Sequence, residues 1–393
     1  MEPVTRSSLC DARRIILKIG SAVITREDGS GLDQGVLESI AEEVAQLMAT
    51  GHEVVIVSSG AIALGLQELG QAGPPADMAS RQAFAAIGQS HLMRAWREVF
   101  QGHDRTVAQV LLTEDDFRNR KRYLNARHAM QAMLSLGAVP VVNENDTVAI
   151  EEIKFGDNDR LSGQVAVLLS ADVLVMLSVV DGLYDKDPTQ DPEAGRIASV
   201  ERFTPELEAL GAHGTSSVGT GGMASKLSAA RIAGRSGIPS VVASGRRPGV
   251  VQAVLSGADV GTFFGDCADR VTARKHWIAF TLKPGGDIGV DEGAAKALTQ
   301  RGKSLLPRGI VEVEGVWGVG DAVRIVDPGG VEVARGLSRY SSQDVARIAG
   351  KRSDEIVGVI GHWFGDAVIH RDDMVLMGTE GMVDTDQSIP KTS

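Results

Sequence analysis

The sequence predicts an α/β protein: a mostly parallel sheet sandwiched by helices, followed by a small β-rich domain. Three observations lead there. The first two thirds alternate short apolar runs with helix-period segments. Those runs lack polar alternation, as expected of strands buried on both faces. Near residue 270 the pattern changes to short β-like pieces separated by glycine and proline turns. A chain of 393 residues fits two domains.

Each element has its own warrant. Residues 15–19 (IILKI) form an apolar first strand. Leu37, Ile40, Ala41, Val44, Leu47 and Met48 recur at helical spacing, and Gly51 supplies a C-terminal stop. Residues 54–57 are a second buried strand. Helices follow at about 61–69 and 79–100. A strand at 106–112, a helix at 123–136 and a strand at 139–142 come next. A helix at 161–169, a strand at 173–177, a helix at 223–235 and a strand at 240–243 complete the first domain, expected to span 10–262. Residues 263–275 are expected to link it to a second domain at 276–372. That domain shows β-like pieces at 310–314, 322–326, 331–336 and 356–360. The polar, aperiodic stretch 373–393 is expected to be a disordered tail.

Composition removes several function classes. Lys and Arg total 40 against 51 Asp and Glu, a net charge of -11, which argues against a coat for nucleic acid or anionic membrane. Residues 276–372 are near neutral. Hydrophobic residues at 43% and charged residues at 23% are globular usage, not that of a disordered chain. Cys10 and Cys267 form no CxxC, so no disulfide framework is expected, and the eight scattered histidines make no short-spaced ligand pair, so no zinc site is expected. The N-terminal stretch lacks the apolar core of a signal peptide. The longest apolar stretch, 165–180, is broken by Asp172 and is too short to span a bilayer. A cytoplasmic protein is expected.

Ligands of parallel sheets bind outside the carboxyl ends of the strands. Four polar clusters fall there: Lys18-Ile19-Gly20-Ser21, Ser58-Ser59-Gly60, Asn143-Glu144-Asn145-Asp146 and Ser178. Turn-making alone explains one such cluster better than four. Lys18 interrupts an apolar strand beside a glycine, so its charge needs a partner or an anion. Gly219-Thr220-Gly221-Gly222-Met223-Ala224-Ser225-Lys226 opens a helix. Its glycines let backbone N–H groups approach an anion, and the helix start favours negative charge. Lys226 in that first turn is locally misplaced unless an anion sits nearby. Gly156-Asp157-Asn158-Asp159 carries more acid than a helix cap requires. Carboxylates there can orient lysines or hold magnesium. Two look-alikes fail. Gly219-x-Gly221-x-x-Ala224 does not follow the first strand of a βαβ unit. Gly302-Lys303-Ser304 resembles the end of a Walker A loop, but Ala297 stands where its first glycine belongs.

The runs LKIGSAVIT, VSSGAIALG, NENDTVAIEEIKFGDNDRLS and GTGGMASK together resemble the glutamate 5-kinase family, from about residue 14 to about 373. VDEGAAKAL, SLLPRGI and GLSRYSS extend that resemblance into the β-rich region. It implies an amino-acid kinase fold followed by a PUA-like domain, a module named for its presence in RNA-modifying enzymes. It implies ATP-dependent phosphorylation of the L-glutamate γ-carboxylate, the first step of proline biosynthesis, with magnesium and with proline as feedback inhibitor. Lys18 and Lys226 would bind the ATP phosphates, and Asp159 would position both. Ser59, Asp146 and Asn158 match glutamate-binding positions. Ser178, Val179 and the segment Thr220, Gly221, Gly222, Met223, Ala224, Ser225 and Lys226 match nucleotide-binding positions. The family often has aspartate where this chain has Val179, so contacts there would run through backbone atoms. A homodimer or homotetramer and a partner glutamyl phosphate reductase are implied. Two other readings stay open: a kinase acting on aspartate or N-acetylglutamate, and an RNA-binding protein working through the PUA-like domain. The near-neutral charge there argues against RNA.

Overall fold

A computed structural model gives the fold. It describes residues 4–26, 28, 31–71, 73, 77–148, 158–188, 190–191, 193–213, 222–265, 267 and 284–377. The chain divides into two compact units, Met1–Arg270 and Val271–Ser393. Among the described residues no helix is long and apolar enough to cross a membrane.

The first unit carries β1 (Arg14–Ile19), β2 (Glu53–Ser58), β3 (Val107–Leu112), β4 (Val139–Glu144), β5 (Val173–Ser178), β6 (Leu183–Tyr184), β7 (Arg196–Ile197), β8 (Ser199–Val200), β9 (Ser240–Ser244) and β10 (Thr262–Phe264). Eight of these form one sheet in the order β3-β4-β2-β1-β5-β9-β10-β8, while β6 and β7 pair separately. Every pairing in the large sheet is parallel except β9 with β10. The β1 ladder sets Ile16 beside Val55 and Leu174, and Lys18 beside Val57 and Met176.

Both faces of the sheet are covered. Ile15, Leu17 and Ile19 point into one core with Leu37, Ile40, Leu92, Trp96 and Val251. Ile16 points into the other with Leu161, Val165, Leu227 and Ala229. Alternation along a strand therefore puts Lys18 on the second face, under the helices Asn158–Leu169 and Met223–Gly234. The strand that looked like an interrupted apolar run is a continuous one on its first face.

The first domain reaches beyond both expected ends. Leu9 is buried, and the Arg6 guanidinium donates to the carbonyls of Val260 (2.6 Å) and Ala258 (3.1 Å). Phe263 and Phe264, expected in a linker, belong to β10 and are buried. A three-residue strand carries too little periodicity to be read from sequence.

The second unit has the sheet β12-β11-β13-β14-β15, from β11 (Gly286–Val290), β12 (Ile310–Gly315), β13 (Ala322–Val326), β14 (Glu332–Leu337) and β15 (Met374–Leu376). Its core gathers Ile288, Val290, Leu298, Val323, Ile325, Tyr340, Val345 and Ile356. Met374–Leu376, expected in the tail, pairs with β14. The stretch 356–360, expected as β-like, is the helix Ile356–Ile360. Short apolar runs do not distinguish the two conformations. Here Ile356 and Ile360, four apart, are buried while Val357 is exposed, and Gly361 closes the helix at φ 81. The helices Glu292–Arg301 and Ser342–Ile348, absent from the sequence reading, start on the side chains of Asp291 and Ser341.

Candidate active site

Three charged side chains meet beneath the carboxyl ends of β1 and β5. Lys18 and Lys226 are each 4% exposed, and Asp159 is fully buried. Lys18 Nζ pairs with Asp159 Oδ1, and Lys226 Nζ lies 3.1 Å from Asp159 Oδ2. Ser225 donates to Asp159 Oδ2 at 2.6 Å, and its Oγ sits 2.8 Å from the Gly222 carbonyl. Burial pushes the Asp159 carboxyl up. The two ammonium groups and the Ser225 hydroxyl overcome that and hold it at about 2. The cluster therefore contains two cations and one anion, an excess of positive charge that suits a polyanion.

Helix packing makes this meeting possible. A Cβ on Gly163 would lie 2.9 Å from the Ala229 carbonyl oxygen, so the two helices touch backbone to backbone there. Asp159 stands one turn before Gly163, and Lys226 one turn before Ala229. The close crossing delivers both side chains to the end of β1. At that end the Gly20 N–H donates to the Leu177 carbonyl at 3.2 Å, locking the β1 turn to β5.

A second, uncharged cluster adjoins the first through Asn158. Its Nδ2 donates to Ser59 Oγ (2.9 Å) and Asn143 Oδ1 (2.8 Å). Asn143 Nδ2 donates to Gln89 Oε1 at 2.8 Å. Trp96 Nε1 donates to Ser58 Oγ at 3.1 Å. The ends of β2 and β4 are thus tied to the helices Asn158–Leu169 and Met78–Gln101.

The structure brings Lys18, Asp159, Ser225, Lys226, Asn158 and Ser59 into this continuous set, with Gly222 touching it through its carbonyl. Asp146 opens the short 3-10 turn Asp146–Val148 after β4. Burial raises its pKa, while Arg81 lowers it. Ser178 ends β5, its carbonyl accepting from the Gly245 N–H at 2.8 Å, and Val179 beside it is exposed. Met223 packs against the apolar core, and Ala224 is exposed. Thr220 and Gly221 lie outside the described residues. Gln89, Trp96 and Arg81 were not anticipated. All three sit on the helix Met78–Gln101, and only tertiary pairing reveals them. A separate cavity of about 660 Å³ lies in the second domain, lined by Asp291, Lys303, Arg308 and Arg371 among others. It shares no residue with this site.

Residues 13–244 match the amino acid kinase family, and residues 286–360 match the PUA domain. A glutamate 5-kinase of Citrifermentans bemidjiense is 50% identical over 366 residues, covering 93% of this chain and 98% of its own. The glutamate 5-kinase of Thermus thermophilus is 49% identical over 367 residues, with coverages of 93% and 97%. That of Syntrophotalea carbinolica is 47% identical over 368 residues, with coverages of 94% and 98%.

Proposed function

The chain belongs to the amino acid kinase family and, within it, to the glutamate 5-kinases, and from that premise we propose how its own residues carry the reaction. ATP gives its γ-phosphoryl group to the γ-carboxylate of L-glutamate, forming γ-glutamyl phosphate and releasing ADP. A glutamate side chain has a reference pKa of about 4.3, so the nucleophile is ionised at neutral pH and needs no general base. The remaining task is to hold two anions together and stabilise the charge spread over the transferring group.

Lys18 and Lys226 perform it. Each ammonium carries three N–H donors, and Asp159 engages one from each. Because the carboxylate fixes both in place, little reorganisation is left for the moment of transfer. The observation carrying this reading is the buried carboxylate gripped on both oxygens by lysines from two different elements. Ser59, Asn158 and Asp146 bind glutamate. Ser178, Val179 and the segment from Thr220 to Ser225 receive ATP, with Val179 engaging through its backbone. Magnesium enters with ATP. The Asp159 oxygens are committed to lysines, and among the described residues no group of three or more His, Cys, Asp or Glu could hold a metal. When bound, the ion would supply positive charge that offsets the phosphate oxygens.

The resemblance also supports proline as inhibitor, a homodimer or homotetramer, a cytoplasmic location and a glutamyl phosphate reductase as the next user of a labile acyl phosphate. Trapping the product with hydroxylamine tests the assignment. With ATP and magnesium, L-glutamate is expected to yield the hydroxamate, and aspartate and N-acetylglutamate are not. Reaction of either rival acid with L-glutamate inert rejects it.

A further inference from the structure

We propose that Gln89 recognises the substrate: its side-chain N–H₂ donates to the α-carboxylate of L-glutamate, while Asn158 Oδ1 accepts from the α-ammonium. The inference rests on the function just proposed and assigns the far end of that substrate.

One backbone group fixes the direction of the whole amide chain. The Glu144 N–H donates to Asn143 Oδ1 at 2.9 Å, so that atom is the oxygen and its neighbour is the donor. Asn143 Nδ2 must then face an acceptor, which is Gln89 Oε1. The Gln89 Nε2 is left over. By the same logic Asn158 turns its Nδ2 to Asn143 Oδ1 and Ser59 Oγ, leaving its Oδ1. Gln89 Nε2 and Asn158 Oδ1 are both buried and both lack a hydrogen-bond partner among the described residues.

Buried polar atoms are rarely left unpaired, and each exception calls for a reason. Here one spare donor and one spare acceptor belong to the same network. An amino acid's zwitterionic end offers the converse pair, a carboxylate and an ammonium. The charged cluster of Lys18 and Lys226 adjoins through Asp159, so a substrate whose γ-carboxylate faces the lysines turns its α-carbon toward the amides.

Gln89 is also held rigidly. A Cβ on the preceding Gly88 would lie 1.8 Å from the Ala61 carbonyl oxygen, and one on Gly65 would lie 1.9 Å from that of Phe84. The helices Ala61–Glu68 and Met78–Gln101 therefore touch backbone to backbone. Trp96, further along the second helix, is pinned to Ser58. Such fixing of a recognition group by packing is what specificity needs.

The test compares two ligands in the full chain. 4-Aminobutyrate is L-glutamate without the α-carboxylate. In Gln89→Leu, the KM for L-glutamate is expected to rise about tenfold to a hundredfold, the range for losing a hydrogen bond to a charged group. The KM for ATP and the inhibition constant of 4-aminobutyrate should stay within about twofold. Gln89→Glu, which sets a carboxylate against a carboxylate, should weaken L-glutamate further and 4-aminobutyrate not at all. Equal weakening of both ligands means a structural role and overturns the proposal. So does no change in either, which means that water or another part of the chain meets the spare donor. Gln89→Met keeps the length of the side chain and gives the same readout should Gln89→Leu not fold. The wild-type hydroxamate assay separates the two levels: its failure with L-glutamate removes the assigned reaction, whereas an active wild type with unselective Gln89 variants removes only this recognition.

Discussion

Asp159 and Glu43 are both acidic, both withdrawn from solvent at 0% and 6% exposure, and the first domain treats them in opposite ways. Asp159 meets two lysines and a hydroxyl, which hold its pKa at about 2 although burial pushes it up. Glu43, on the helix Gln34–Ala49, accepts from the backbone N–H groups of Gly249 (3.1 Å), Val251 (2.9 Å) and Gln252 (3.1 Å). Burial raises its pKa, and those three N–H groups only partly offset that. Backbone dipoles satisfy a carboxylate's lone pairs. Full cations decide its charge. Glu43 therefore reads as a clasp between two helices, and Asp159 as the centre of a preformed cationic site.

Removing a cation should give the largest effect. Lys226→Met and Lys18→Met are each expected to lower kcat by on the order of 10² to 10³, the usual cost of losing one electrostatic donor. Steady-state phosphorylation of L-glutamate measures it. Turnover like that of the wild type in either variant would take that lysine out of the chemistry and weaken the distinction drawn between the two carboxylates.

Removing the carboxylates comes next. Asp159→Asn leaves two buried ammonium groups facing a neutral amide and should cost about 3–5 kcal/mol in urea unfolding, as breaking a buried pair does, together with activity. Glu43→Gln keeps one acceptor oxygen and should cost about 1–3 kcal/mol with kcat unchanged. If Glu43→Gln loses activity in the native state, the clasp is coupled to the site and the separation fails.

How far the sequence revealed these features follows from what kind of signal each one leaves. Lys18 was visible because charge inside an apolar strand is a local contradiction. Lys226 was visible because a lysine opening a helix after glycines is another. The parallel sheet was visible in its unalternating strands. Asp159 showed only as surplus acid in a polar turn, and its role as a bridge came with the resemblance. Glu43 follows Glu42 on the helix Gln34–Ala49 and did not stand out in the sequence. Its partners lie beyond residue 248, so nothing local marks it. Gln89 was hidden for the same reason, since its contact with Asn143 exists only once the sheet is assembled. The helix Ile356–Ile360 was misread because five apolar residues carry no decisive period.

Acid titration should bring out the smallest and most diagnostic difference, because the two groups link folding to protons with opposite sign. Between pH 3.8 and about 2 the unfolded chain holds more protons at Asp159 than the folded chain does. Its stabilisation is present above that window and is lost as pH falls through it. For Glu43 the folded pKa lies above the ordinary value, so in its window the folded chain holds more protons. Stability there falls as pH rises. The destabilisation caused by Asp159→Asn should therefore grow with rising pH through the first window. That caused by Glu43→Gln should shrink with rising pH through the second. Urea unfolding of the wild type and both variants across acidic pH compares the two slopes. If both penalties shrink with rising pH, the lysines do not hold the Asp159 proton affinity down, and its likeness to Glu43 would be closer than the geometry indicates.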